Sequence, residues 1–108
     1  MLSGYKLMWM LVLFDLPVVT KTERKNANKF RKFLQDQGFD MCQFSVYMRF
    51  CAGKEETQVY TRRVQSALPP SGNVQIIYIT DKQYENIVSF SGPRRNSPNR
   101  NPEQFTLF

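Results

Sequence analysis

One carboxylate stands in a position that invites chemistry. Leu7 to Phe14 are eight consecutive apolar residues, and Asp15 closes the run ahead of Leu16 and Pro17. A carboxylate at the end of a buried strand is either a turn residue or an oxygen donor for a hard cation such as magnesium. Phosphodiester hydrolysis is the reaction that such a cation serves, by polarising a phosphate and lowering the pKa of the attacking water. Magnesium takes one or two protein carboxylates, with water and substrate oxygens completing the shell. One Asp15 per chain therefore suffices only when two copies contribute. Ser45 is a possible auxiliary that could orient water or phosphate, and it reads equally well as an ordinary strand hydroxyl. Asp81, after the apolar run Val74–Thr80, reads first as a strand-terminating turn residue.

What is missing narrows the chemistry. The 108 residues contain no histidine, so no mechanism with an imidazole base is open to this chain. Two cysteines, Cys42 and Cys51, cannot assemble a cysteine-based zinc site without histidine. They read as reduced core residues of an intracellular protein. Lys6 before the apolar run imitates a secretory signal, but Asp-Leu-Pro follows in place of small residues for cleavage. The run is also too short to span a bilayer, and the expected location is the cytoplasm.

Lysine and arginine number 15 against nine acids, for a formal charge of +6 and a sequence pI near 9.6. That balance favours a polyanionic partner, nucleic acid before membrane. The cations are not spread evenly. Thr20 and Glu23 form a capping-box pattern that starts a helix, which should run to about Gln37 and close at Gly38. On that helix Ala27, Phe30, Phe33, Leu34 and Gln37 share an arc of about 120°. Lys21, Arg24, Lys25, Asn28, Lys29, Arg31 and Lys32 fill the opposite arc, with Glu23 the only acid between Lys21 and Gln35. A plainly solvated surface would interleave acids, so this arc reads as a phosphate-facing surface. Arg94, Arg95 and Arg100 form a second basic group in a proline- and asparagine-rich stretch.

These residues need a scaffold. The first strand covers about Lys6–Leu16, and both of its parities are apolar: Trp9, Leu11 and Leu13 on one face, Met10, Val12 and Phe14 on the other. Both faces should therefore be buried. Phe39–Cys51 is aromatic and β-branched, with Phe44, Val46, Met48 and Phe50 alternating against Ser45, Tyr47, Arg49 and Cys51. Its alternation slips near Gln43, which predicts a bulge or break. A second helix spans Lys54–Leu68 and stops at Pro69-Pro70. Val74–Thr80 is a further strand, and Tyr84–Phe90 should hold a short turn and strand four. Gly92–Pro102 is linker, and Gln104–Phe108 alternates like an edge strand.

The order is α+β and matches the ferredoxin-like βαββαβ arrangement, an antiparallel sheet with both helices on one face and a C-terminal edge strand added. It divides into a ferredoxin-like domain, residues 1–92, and a basic linker with tail strand, residues 93–108. Two helices cannot cover both faces of strand one. A face-to-face homodimer is the economical way to cover the second.

Phe-Asp-Leu-Pro at the end of an apolar strand, a Lys/Arg-rich first helix and Gln43-Phe44-Ser45-Val46-Tyr47 together resemble the CRISPR-associated protein 2 family. The resemblance extends from about Leu7 to Phe108. It implies a homodimer whose sheets face each other, with Asp15 of each copy near the two-fold axis. It also implies a role in CRISPR adaptation, or spacer acquisition: the dimer binds duplex DNA and bridges dimers of the CRISPR-associated integrase. The family is described as metal-dependent ribonucleases or deoxyribonucleases, with the strand-end aspartate carrying magnesium or manganese. Asp15 is the position that matches, as catalytic and metal-binding residue.

Within that picture Lys21, Arg24, Lys25, Arg94, Arg95 and Arg100 are the expected nucleic-acid contacts. Phe105, Leu107 and Phe108 are the tail contacts to the other copy or the integrase. A free-standing metal-dependent nuclease acting on RNA or DNA is the alternative. A single-stranded-RNA binder of the same topology would need a Gly-aromatic segment on a central strand, and none occurs.

Overall fold

A computed structural model describes residues 7–92. The elements run β1 (Met8–Asp15), α1 (Lys21–Asp36), β2 (Asp40–Gln43), β3 (Val46–Cys51), α2 (Lys54–Ser66), β4 (Asn73–Thr80) and α3 (Asp81–Glu85). The strands form one antiparallel sheet in the order β2-β3-β1-β4. This is the βαββαβ arrangement of the ferredoxin-like fold, with α3 appended. The expected tail strand and the residues Arg94, Arg95, Arg100, Phe105, Leu107 and Phe108 lie outside the described residues.

The local signals of α1 act as the sequence implies. Thr20 Oγ1 accepts from the Glu23 N–H at 3.0 Å, while Glu23 Oε1 accepts from the Thr20 N–H at 2.9 Å and the Val19 N–H at 3.0 Å. Gly38 follows the helix at φ +87°, a conformation that glycine reaches without the Cβ penalty. Ala27, Phe30 and Leu34 are buried against the even positions of β1, namely Met10, Val12 and Phe14. Phe14 meets Phe30 edge-on at 5.2 Å and stacks with Tyr47 at 5.7 Å between ring centroids.

Three expectations need correction. Phe39–Cys51 is a hairpin, not one strand: the break comes as a register shift between Met41 and Gln43, followed by a turn at Phe44-Ser45. Tyr84–Phe90 holds no strand; α3 starts directly at Asp81, capped by Thr80 Oγ1 accepting from Gln83 N–H at 3.1 Å. Cys51 belongs to the core, but Cys42 is exposed on β2 and points its thiol at the Val46 carbonyl.

The parities of β3 also fall in an unobvious way. Tyr47 and Cys51 are buried on the helix side, so Arg49 between them faces the helices, while Val46, Met48 and Phe50 take the other face. Arg49 is tolerated there because its fork is occupied. Nε donates to the Gln37 carbonyl at 3.0 Å, Nη2 to the Tyr60 hydroxyl at 2.8 Å and Nη1 to the Phe50 carbonyl at 2.7 Å. Its guanidinium also lies 3.8 Å from the Tyr60 ring centroid.

The open face of the sheet is apolar through its middle. Trp9, Leu11 and Leu13 on β1 stand opposite Phe50, Met48 and Val46 on β3, and opposite Ile79, Ile77 and Gln75 on β4. Within one chain the β1 members are half-buried, while Phe50 and Ile77 are 40% and 44% exposed.

Candidate functional site

Asp15 is the last residue of β1 and pairs with Asn73 at the start of β4. Its parity is that of Trp9, Leu11 and Leu13, so it marks one end of the apolar open face. The side chain is exposed, and among the described residues its carboxylate has no hydrogen bond or ion pair. Phe14, one residue earlier, is anchored in the core and ties the strand end to the hairpin, its N–H donating to the Ser45 carbonyl at 3.0 Å.

Gly72 sets the other side of this strand end. Its φ is +99°, and a Cβ there would stand 2.7 Å from the Asp15 carbonyl oxygen and 2.7 Å from Leu16 Cδ2. Only glycine permits both the dihedral and the approach. The segment leading into β4 is thus pressed against the backbone that carries the carboxylate.

Neither of the other hydroxyl and carboxylate candidates bonds to the Asp15 carboxylate among the described residues. Ser45 sits in the hairpin turn, on the parity of Phe14 and Tyr47, and is held through its backbone carbonyl. Asp81 is at the opposite end of β1: the register pairs Met8 with Thr80, and the Asp81 N–H donates to the Leu7 carbonyl at 3.0 Å. The Asp81 carboxylate accepts from Trp9 Nε1 at 3.0 Å, and Tyr84 stacks on the indole at 4.0 Å. Asp81 is therefore a structural acceptor, as its position after a strand implies.

Lys21, Arg24 and Lys25 are exposed in the first turns of α1. Because β1 ends at Asp15 and α1 begins at Lys21, strand end and cationic turn share one end of the molecule. Arg24 spends part of its fork on the connection, Nη1 donating to the Val19 carbonyl at 2.8 Å and the Val18 carbonyl at 3.2 Å. Arg31, a member of the basic arc, packs against aromatic rings. Its guanidinium lies 4.0 Å over the Phe44 ring and 5.6 Å from that of Phe14. No local sequence signal marks this pairing, since Arg31 and Phe44 belong to different elements. The Trp9–Asp81–Tyr84 cluster escaped the sequence reading; the Thr80-x-x-Gln83 capping box is the local signal that could have marked the start of α3.

Both thiols are held above their ordinary range. Burial raises Cys51 against the opposing pull of the Arg49 guanidinium, and partial burial raises Cys42 against two backbone hydrogen bonds. Neither is a thiolate at neutral pH.

The donor set fits magnesium in a limited sense. Asp15 offers an exposed, unengaged carboxylate, the oxygen ligand a hard cation requires. No three of the His, Cys, Asp and Glu side chains converge among the described residues. A single chain therefore supplies one ligand, which suits a site completed by water, phosphate and a second copy. None of the helices among the described residues is long and apolar enough to cross a membrane.

Known proteins resemble this chain. The family model described as CRISPR associated protein Cas2 matches residues 8–87. A protein named CRISPR-associated endoribonuclease Cas2 from Paracidovorax avenae is 54% identical over 108 residues, covering 100% of both chains. One of the same name from Flavobacterium psychrophilum is 44% identical over 99% of this chain and 93% of its own. Another, from Campylobacter jejuni, is 40% identical over 95% of this chain and 73% of its own. A solved chain described as a crystal structure of cas2 superposes with a TM-score of 0.58 at 20% identity, covering 87% of this chain and 95% of that one, which speaks for the fold alone. The match of most of the chain to the family model, and full-length relatives above 40% identity, make this chain a member of the CRISPR-associated Cas2 family.

Proposed function

We propose that the chain acts as a face-to-face homodimer in CRISPR adaptation, holding duplex DNA and bridging dimers of the CRISPR-associated integrase. We further propose a metal-dependent phosphodiesterase activity centred on Asp15. The observation that carries the reading is the placement of Asp15: exposed, its carboxylate without a partner among the described residues, at the end of an apolar sheet face and at the same end as the cations of α1. A second copy packed on Trp9, Leu11 and Met48 would cover the open face and bring a second Asp15 to the interface. Lys21, Arg24 and Lys25, with Arg94, Arg95 and Arg100, would hold the backbone without reading bases.

Bound magnesium or manganese would polarise the phosphate and lower the pKa of the attacking water. Each chain's own part is to place one carboxylate, Asp15, at the end of a buried strand and to present cations at the same end. RNA as a cleavage substrate is supported by the endoribonuclease names of the relatives, and DNA holding by the net charge of +6.

The test is Asp15→Ala. Metal-dependent cleavage by the isolated protein should vanish, while dimer mass, duplex binding and spacer integration with the integrase persist. Loss of integration in a folded, DNA-binding variant would place the chemistry of Asp15 above the scaffold role. Retained cleavage would remove Asp15 from the site.

A further inference from the structure

Arg31 packs on aromatic rings and pairs with no carboxylate among the described residues. Its guanidinium lies over the rings of Phe44 and Phe14, at 4.0 and 5.6 Å. Phe14 immediately precedes Asp15 in β1, and Phe44 lies in the hairpin turn beside Ser45, whose carbonyl accepts from the Phe14 N–H. A fixed positive charge thus sits at the carboxylate's end of the sheet without pairing to it.

The hydrogen-bonding state of Arg31 is as informative as its place. Nη1 donates to Asn28 Oδ1 at a long 3.4 Å, and Nε is buried without a partner. No other donor of the fork is engaged, and no carboxylate lies within 4.0 Å, among the described residues. A guanidinium with one nitrogen buried and unpartnered carries a desolvation cost, and ring faces return only part of it. Methionine or leucine would fill the same space with no such penalty. Arginine's planar fork, in contrast, matches the paired oxygens of a phosphate.

We propose that Arg31 receives a backbone phosphate of the bound nucleic acid and sets its register against Asp15, with Phe44 as the positioning residue that holds the guanidinium. The inference rests on the nucleic-acid reading above and adds a specific phosphate contact to it. Phe44 is 68% exposed, so its ring holds the cation at the surface and leaves the site open to a polymer.

The experiment measures binding of the full chain to a duplex DNA and to a single-stranded RNA by anisotropy over a range of salt. The variants are Arg31→Met, Arg31→Lys, Phe44→Leu and Phe44→Tyr, each checked for dimer mass and thermal unfolding. Losing one phosphate contact lowers the slope of log affinity against log salt by about 0.9 on duplex or about 0.7 on a single strand. Arg31→Met should lose that slope and about ten-fold in affinity. Phe44→Leu should lose the same slope with its charge count unchanged, and Phe44→Tyr should retain it. The probe on which the slope falls identifies the strandedness the site takes.

A folded Arg31→Met with wild-type slope on both probes overturns the proposal. A slope lost in Arg31→Met but kept in Phe44→Leu overturns the positioning role of Phe44. Should Arg31→Met fail to fold, Arg31→Lys and Phe44→Leu carry the test, and wild-type affinity in both overturns the proposal. A wild-type chain that binds neither probe overturns the nucleic-acid reading, and this inference with it.

Discussion

The indole N–H of Trp9 donates to the carboxylate of Asp81 at 3.0 Å, across 72 positions of sequence. The bond fixes α3 to the end of β1, with Tyr84 stacked on the indole and Phe50 meeting it edge-on at 5.3 Å. It also separates the two strand-end aspartates by role. Asp81 is engaged by Trp9, whereas the Asp15 carboxylate has no hydrogen bond or ion pair among the described residues.

Asp81→Ala should therefore act on stability and not on chemistry. Losing this part-buried hydrogen bond should cost about 1–2 kcal/mol in urea unfolding. Trp9 is the only tryptophan, so its fluorescence should shift as the indole loses its partner. Metal-dependent cleavage should stay at the wild-type level. A cleavage defect matching that of Asp15→Ala would assign Asp81 a part in the site.

Gly72→Ala should damage the site while leaving every candidate side chain in place. The new Cβ would face the Asp15 carbonyl at 2.7 Å in a φ of +99°. Strain of this kind costs about 1–3 kcal/mol. Either the turn moves or the end of β1 does, and in the second case cleavage falls with Asp15 intact. Unchanged stability by thermal unfolding would show that the turn relaxes freely.

Leu11→Lys places a charge in the middle of the open face, opposite Met48 and Ile77. The single-chain core, built from the even positions of β1, should survive the change. Light scattering should then report a folded monomer of 12.7 kDa where the wild type gives twice that mass. A wild-type monomer at micromolar concentration would end the face-to-face reading.

The two thiols should differ in access and agree in their pH behaviour. A disulfide reagent should label the exposed Cys42 in the native chain and reach Cys51 only on unfolding. Both pKa values are raised by burial, so folding favours the protonated thiol. That contribution is complete below the ordinary thiol pKa of about 8.5 and is lost as pH climbs through the raised folded values. Replacing Cys51 by alanine should remove part of the alkaline loss of stability; an unchanged alkaline profile would show that other groups govern it.

Much of the fold was legible because its signals are local. The apolar run of β1, the Thr20–Glu23 capping box, Gly38 and Pro69-Pro70 act over one to four residues, and each marks an element where the structure has one. The slip near Gln43 was visible too, although alternation alone does not distinguish a bulge from a hairpin turn.

Other matters were decided only by packing. Period two divides β3 into two faces without saying which meets the helices; the apolar-looking set went outward because Arg49 found the Gln37 carbonyl and Tyr60, residues on other elements. Arg31 read as one more cation of a phosphate-facing arc, and its place over Phe44 depends on where the hairpin turn comes to rest beside α1. Asp15 and Asp81 look alike in sequence, each an acid after an apolar strand. They differ because antiparallel pairing sends β1 and β4 in opposite directions, which carries Asp81 back to Trp9 and leaves Asp15 at the far end without a partner from its own described chain.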